Sequence, residues 1–192
     1  VQSFLIIVRG LIAFVLCLLL AACAVHNPDM SPRVELPALR LQPDTLEQNL
    51  ALEQRLVFVH GGQRREFDAL LEVDAAQVRL LVQAMGQTAV RLVWDGQHLS
   101  EQRAPWLPRQ VHGDRVLGDM QFALWPLSAV RSALPPDWRI EQAGNERRLL
   151  DAQGHAWLIA RNDGGTGNLS LRNLAENYEL EVRSVPVQKD VS

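Results

Sequence analysis

From Leu50 onward the chain alternates between apolar and polar positions. Phe67, Ala69, Leu71 and Val73 share one parity while Glu66, Asp68 and Glu72 take the other, the period of two that sends alternate side chains to opposite faces of a β-strand. This predicts a strand over Gln63 to Val73, paired through Gly61-Gly62 with a preceding strand over Leu50 to His60. Val78, Leu80 and Val82 mark a third strand and Val90, Leu92 and Trp94 a fourth, with Met85-Gly86-Gln87 as the loop between them. Asp95-Gly96 predicts a two-residue hairpin, because both central positions of a type I′ turn need positive φ, and a short fifth strand follows around Gln97 to Gln102. The period changes after Pro105-Trp106-Leu107-Pro108. Val116, Met120 and Leu124 recur at spacing four, with Leu117 beside them and Asp114 as the cap, which predicts a helix. Pro126 interrupts it, and Leu127, Val130 and Leu134 form a second short helical run before Pro135-Pro136. Strands then return over Trp138 to Gln142, Arg147 to Asp151, His155 to Arg161, Asn168 to Leu174 and Tyr178 to Val185. About ten strands with one helical insertion make an α+β body, in which an antiparallel sheet curls and the helices cover its concave face. The interior of such a sheet is filled either by side chains or by a ligand.

The chain before Leu50 follows other rules. Leu11 to Leu20 is an apolar run flanked by Arg9, too short for a hydrocarbon core of about 30 Å, which takes about 20 apolar residues. It ends in Leu20-Ala21-Ala22-Cys23, which resembles the lipobox at which a bacterial lipoprotein is cleaved and its cysteine acylated. Residues 1–22 then read as a signal peptide and Cys23 as the lipid attachment site, its acyl chains (palmitate, for one) supplying the membrane anchor. Ala24 after the cysteine, where inner-membrane retention takes Asp, implies the outer membrane. Pro28, Pro32, Pro37 and Pro43 favour extended, helix-free chain, so residues 23–48 read as a proline-rich tether, whose later part could lie along the domain. The folded domain is expected over 49–186 and a flexible tail over 187–192.

Composition narrows the chemistry. With 47% hydrophobic and 21% charged residues the balance is that of an ordinary globular domain, and a net charge of −3 offers no basic field for nucleic acid. Cys17 falls in the signal peptide and Cys23 carries lipid, which leaves no thiol for a disulfide or a metal in the mature domain. The motifs of serine hydrolases, zinc proteases and phosphate-binding loops are missing from the sequence. His26, His60, His98, His112 and His155 are scattered over loops and strand ends, so no metal, cofactor or catalytic residue is expected. Asp114 and Asp119 read as a helix cap and a surface charge, and the glycine-rich stretch Asn162 to Asn168 as a hairpin loop. The tryptophans are more suggestive: Trp94, Trp106, Trp125, Trp138 and Trp157 are spread one per element or loop, where they could fill a core or wall a cavity.

Several passages together resemble a known architecture. Gln54-Arg55-Leu56, the run Phe67 to Val73, Leu124-Trp125-Pro126, Leu171 to Leu174 and Tyr178 to Val182, behind a lipobox and a proline-rich tether, are similar to an uncharacterised family of outer-membrane lipoproteins. That family has a LolA/LolB-like half-barrel fold and is often linked to aryl-polyene biosynthesis clusters. The resemblance implies a concave apolar face for acyl chains, with Phe67, Leu71, Leu80, Leu92 and Trp94 lining it and Phe122 and Trp125 on a movable cover. It further implies that the loop after the third strand, here carrying Met85, faces the membrane.

The expected function is therefore a non-enzymatic one. A lipid-anchored lipoprotein on the periplasmic face of the outer membrane would bind or accept acylated cargo, a lipoprotein or a lipid-linked polyene precursor, in an apolar cavity of several hundred Å³, with a periplasmic carrier protein delivering it. The alternative is a scaffold or assembly lipoprotein with a filled core, docking an envelope machine. A third reading, an enzyme acting on a polyene ester, would carry a polar cluster inside the cavity.

Overall fold

The alternating stretches form one antiparallel sheet in the computed structural model, which describes residues 34–107, 111–163 and 167–188. The signal peptide, Cys23, residues 23–33 of the tether and residues 189–192 of the tail lie outside the described residues. The strands are β1 (Leu50–His60), β2 (Gln63–Val73), β3 (Val78–Ala84), β4 (Gln87–Trp94), β5 (Leu99–Arg103), β6 (Arg139–Ala143), β7 (Glu146–Leu150), β8 (Ala156–Asn162), β9 (Asn168–Asn173) and β10 (Tyr178–Pro186). Two helices, α1 (Gly113–Leu124) and α2 (Leu127–Ala133), stand between β5 and β6. The ten strands are ordered β5-β4-β3-β2-β1-β10-β9-β8-β7-β6. Two consecutive meanders are thus joined along the β1–β10 pair, and the sheet is not closed.

Register carries the apolar parity across the sheet. Leu80 faces Leu71 on β2 and Leu92 on β4, Leu56 faces Phe67 and Val182, and Leu171 faces Leu180 and Ala160. A single buried face results. Helix α1 touches β5 and also β8 and β9. In a flat sheet β5 and β9 would stand about 29 Å apart at about 4.8 Å per strand, whereas a helix of this length spans only about 18 Å. The sheet therefore curls around α1. Irregularities at Val82/Gln83 and Leu149/Leu150 insert Ala89 and Trp157 as extra residues opposite their partner strands, and bulges of this kind add local twist.

Three turns begin with an aspartate that accepts backbone N–H groups two or more residues on: Asp74 from Ala76 and Gln77, Asp95 from Gln97 and His98, Asp151 from Gln153 and His155. The Asp95 carboxylate corrects the expected two-residue hairpin, since holding both N–H groups draws Gln97 and His98 into a four-residue loop and delays β5 to Leu99. Those backbone hydrogen bonds, His98 first, hold the Asp95 carboxyl below its ordinary value. The β3–β4 turn is the two-residue type, with Met85 at φ 48° and Gly86 at φ 75°.

Residues 34–48, the later part of the expected tether, do lie along the domain and contribute leucines to its core. Leu36, Leu39, Leu41 and Leu46 are buried in the core, and Pro43–Leu46 makes one 3-10 turn. A buried strand-free segment must find partners for its backbone, and side chains supply them here. Gln121, itself fully buried, accepts from Leu41 N–H at 3.0 Å and donates to Leu41 C=O at 2.9 Å. Trp94 Nε1 donates to the same carbonyl at 2.8 Å, and Trp125 Nε1 donates to Thr45 Oγ1 at 3.1 Å and Gln42 C=O at 3.3 Å. Arg40 pairs with Asp114 and lies over the Trp94 ring at 5.2 Å. Asp114 thus ties this strap to α1, while the helix is capped by His112, whose ring nitrogen accepts from Arg115 N–H at 3.4 Å.

Gly96 is the strap's contact on the β4–β5 loop. Its φ is +89°, its carbonyl accepts from Gln42 Nε2 at 2.9 Å, and a Cβ there would sit 2.2 Å from Gln42 Oε1. Gly96→Ala is expected to lower unfolding free energy by about 1–3 kcal/mol, combining left-handed strain with loss of that hydrogen bond. Urea melts of the two proteins measure the difference.

Candidate functional site

The interior of the curled sheet is filled at one end and hollow at the other. The strap leucines pack with the fully buried Phe122 and Trp125 and the almost fully buried Trp94. Beside them lies a partly enclosed cavity of about 140 Å³. Its wall comes from β1 through β4, from β9 and β10, and from one side of α1.

Helix α1 serves both halves. Its Leu117 and Gln121 side is buried against the strap, whose backbone passes over Gly118 with Leu39 N at ordinary contact distance, 3.9 Å, from where a Cβ would stand. Its Val116, Met120 and Leu124 row, expected to be the helix's core stripe, is only half-buried and lines the cavity. Leu56, Leu169 and Leu180 face that row from the sheet, also half-buried. Between the two rows the cavity has an apolar rim.

The seven expected lining residues divide between these halves. Phe67, Leu71 and Leu80 line the cavity. Leu92, Trp94, Phe122 and Trp125 are not part of its wall but belong to the filled half. The physical reason lies in the indole N–H groups. An inward tryptophan needs an acceptor, the sheet's own carbonyls are used in its ladder, and the strap brings free carbonyls only to that end. Phe122 and Trp125 are fully buried in the core, and the Trp125 indole is tied to the strap by its hydrogen bonds. Met85 is fully exposed at the tip of the β3–β4 hairpin.

One side of the cavity wall is polar. Asp119, Arg115 and Tyr178 line it together, which corrects the reading of Asp119 as a surface charge: only 6% of the residue is exposed. Tyr178 donates its hydroxyl to Asp119 Oδ2 and accepts from Asn173 Nδ2 at 3.1 Å. Arg115 Nε donates to Glu176 Oε1 at 2.8 Å, and its Nη1 stands 3.7 Å from Asp119 Oδ1. Glu176 N–H in turn donates to Asn173 Oδ1 at 2.9 Å. Oδ1 of Asp119 accepts no hydrogen bond from any described residue.

Burial pushes the Asp119 carboxyl up to about 7 against the opposing pull of Arg115. Burial, reinforced by the neighbouring Asp119 charge, also raises the Tyr178 phenol, which therefore stays protonated as a donor. Among the described lining residues there is no serine, cysteine, lysine or histidine. The polar cluster that the enzyme reading expects inside the cavity is therefore present, as a carboxyl and a phenol joined by a hydrogen bond beside a guanidinium. Tyr178 was the legible member. It is the sole tyrosine and shares the inward parity of Leu180 and Val182, so its hydroxyl had to meet a partner inside.

Compared with curated proteins, the chain matches none. A family model described as "Protein of unknown function (DUF3261)" matches residues 51–186. That span runs from the second residue of β1 to the last of β10 and takes in every cavity-lining residue. With most of its length and all but the first residue of the sheet inside the match, the chain belongs to the DUF3261 family.

Proposed function

We propose that this chain is a non-enzymatic acceptor for acylated cargo, a lipid-anchored lipoprotein whose open sheet is a half-barrel of the LolA/LolB kind. Acylated Cys23 holds it on the periplasmic face of the outer membrane, a periplasmic carrier protein presents the cargo, and the cargo is a lipoprotein or a lipid-linked polyene precursor. The observation that carries the reading is the hollow half of the core, an apolar cavity of about 140 Å³ rimmed by half-buried leucines, valine and methionine. Each Å² of hydrocarbon moved from water into such a wall gains about 25 cal/mol, so uptake and release need no covalent step. The volume is smaller than the several hundred Å³ expected for a whole acyl chain. It holds the end of a chain, and the remainder lies along the rim between α1 and the β9–β10 strands. Met85, apolar and fully exposed on its hairpin, is the side chain offered to the bilayer.

The test is binding of a fluorescent long-chain acyl probe to the purified full chain, compared with Met120→Trp. Met120 is half-buried on the cavity wall, so a larger ring there occupies the hollow with a stability change expected within about 1 kcal/mol. Probe affinity is expected to fall by about tenfold or more. A wild-type chain that leaves the probe in solution, or a Met120→Trp chain that binds it equally well, refutes the reading.

A further inference from the structure

The apolar cavity ends on a buried acceptor that has no donor. Asp119 lines the cavity, and its buried Oδ1 accepts no hydrogen bond from any described residue. The side chain that bears it is less than one-tenth exposed. Its nearest charged neighbour, Arg115 Nη1, stands 3.7 Å away, beyond hydrogen-bond reach, while Tyr178 is committed to the other carboxylate oxygen, Arg115 Nε to Glu176, and the Asn173 amide to Tyr178 and Glu176 N–H. A buried acceptor without a donor is costly, and such an orphan in a wall marks the place where a bound group completes the network.

Building on the cavity reading above, we infer that the site takes a neutral, hydroxyl-bearing apolar group, an alcohol or a phenol, whose O–H donates to Asp119 Oδ1. Three features select this class. The missing element is a donor, which hydrocarbon lacks. A carboxylate or phosphate would bring acceptors and negative charge to a cluster in which Asp119 and Glu176 already outnumber Arg115. An ammonium would bring a donor, but it would lie beside the Arg115 guanidinium and lose its water to a wall of leucine, valine and phenylalanine. Size fits as well, because a hollow of about 140 Å³ is close to the cavity of roughly 150 Å³ that accommodates benzene.

Toluene, phenol and benzoate, which differ only at one substituent, separate the possibilities when titrated into the purified full chain at about pH 8, where the Asp119 carboxyl has lost its proton and is an acceptor. Phenol is expected to bind at least about tenfold more tightly than toluene despite its stronger hydration, with benzoate weakest. In Asp119→Leu, which keeps a similar volume but has no acceptor, the preference for phenol is expected to disappear. Should that variant fold poorly, the unmodified chain gives a second readout: phenol, and not toluene, shifts the NMR resonance of the Asp119 carboxyl. Toluene binding as tightly as phenol overturns the inference and leaves the apolar cavity standing. Benzoate binding most tightly overturns it in favour of an anion site on Arg115. If neither toluene nor phenol binds, the cavity reading fails and this inference fails with it.

Discussion

Trp125→Ala is expected to cost about 3–5 kcal/mol of unfolding free energy, the range for deleting a buried tryptophan ring from a packed core. The ring is fully buried, and its N–H reaches Gln42 C=O and Thr45 Oγ1 on the strap. Truncation leaves a hole and also strips a donor from two strap acceptors. The backbone of Trp125 is held independently: its N–H donates to Gln121 C=O at 3.0 Å, and its carbonyl accepts from Arg147 Nη1 at 2.6 Å. The end of α1 therefore stays in place, and the loss reports on ring and strap alone. Urea unfolding measures it. A strap that peels away in the variant would also lower the denaturant slope, since less surface is then exposed on unfolding. A loss under about 1 kcal/mol would mean that residues 34–46 are a loose tether after all.

That strap shows where sequence reasoning reached and where it stopped. The strands were legible because their signal is local: alternation fixes which side chains turn inward, and Gly61-Gly62 or Met85-Gly86 mark the reversals. Prolines dominated the reading of residues 34–48, although Leu36, Leu39, Leu41 and Leu46 are more leucine than a solvated linker carries. A second clue lay in Trp94 and Trp125. Inward indoles facing a sheet need carbonyls from a segment outside its ladder, and a leucine-rich segment of that kind precedes β1. The cavity was partly legible. Phe67, Leu71 and Leu80 follow from parity, but parity treats Leu92 and Trp94 alike, and only the course of the strap decides which end of the trough is filled. Asp119 was hidden for the same reason. One turn after Arg115 it looks like a solvated i,i+4 pair, and its burial depends on Tyr178 crossing to it from β10.

Asp119 should make the folded protein more stable in mild acid than at neutral pH. Its carboxyl is raised from 3.8 to about 7 on folding, by burial above all, with Arg115 and the Tyr178 hydrogen bond opposing and Glu176 adding to the rise. Between those two values the folded state holds a proton that the unfolded state has released, so unfolding free energy decreases as pH climbs through the window. At 1.36 kcal/mol per unit the decrease approaches about 4 kcal/mol by pH 7. The depressed carboxyls act elsewhere: Asp151, whose hydrogen bonds from Trp157 and His155 outweigh its desolvation and bring it to about 2, contributes stability that is lost only in stronger acid. Asp119→Asn isolates the effect, because the amide keeps the volume and cannot ionise. Melts of the wild type and the variant at several pH values between about 4 and 8 should give two curves that converge in acid and separate toward neutrality, with the variant becoming the more stable. Parallel curves would place the Asp119 charge in contact with water, and the polar end of the cavity would then be an open groove instead of a desolvated wall.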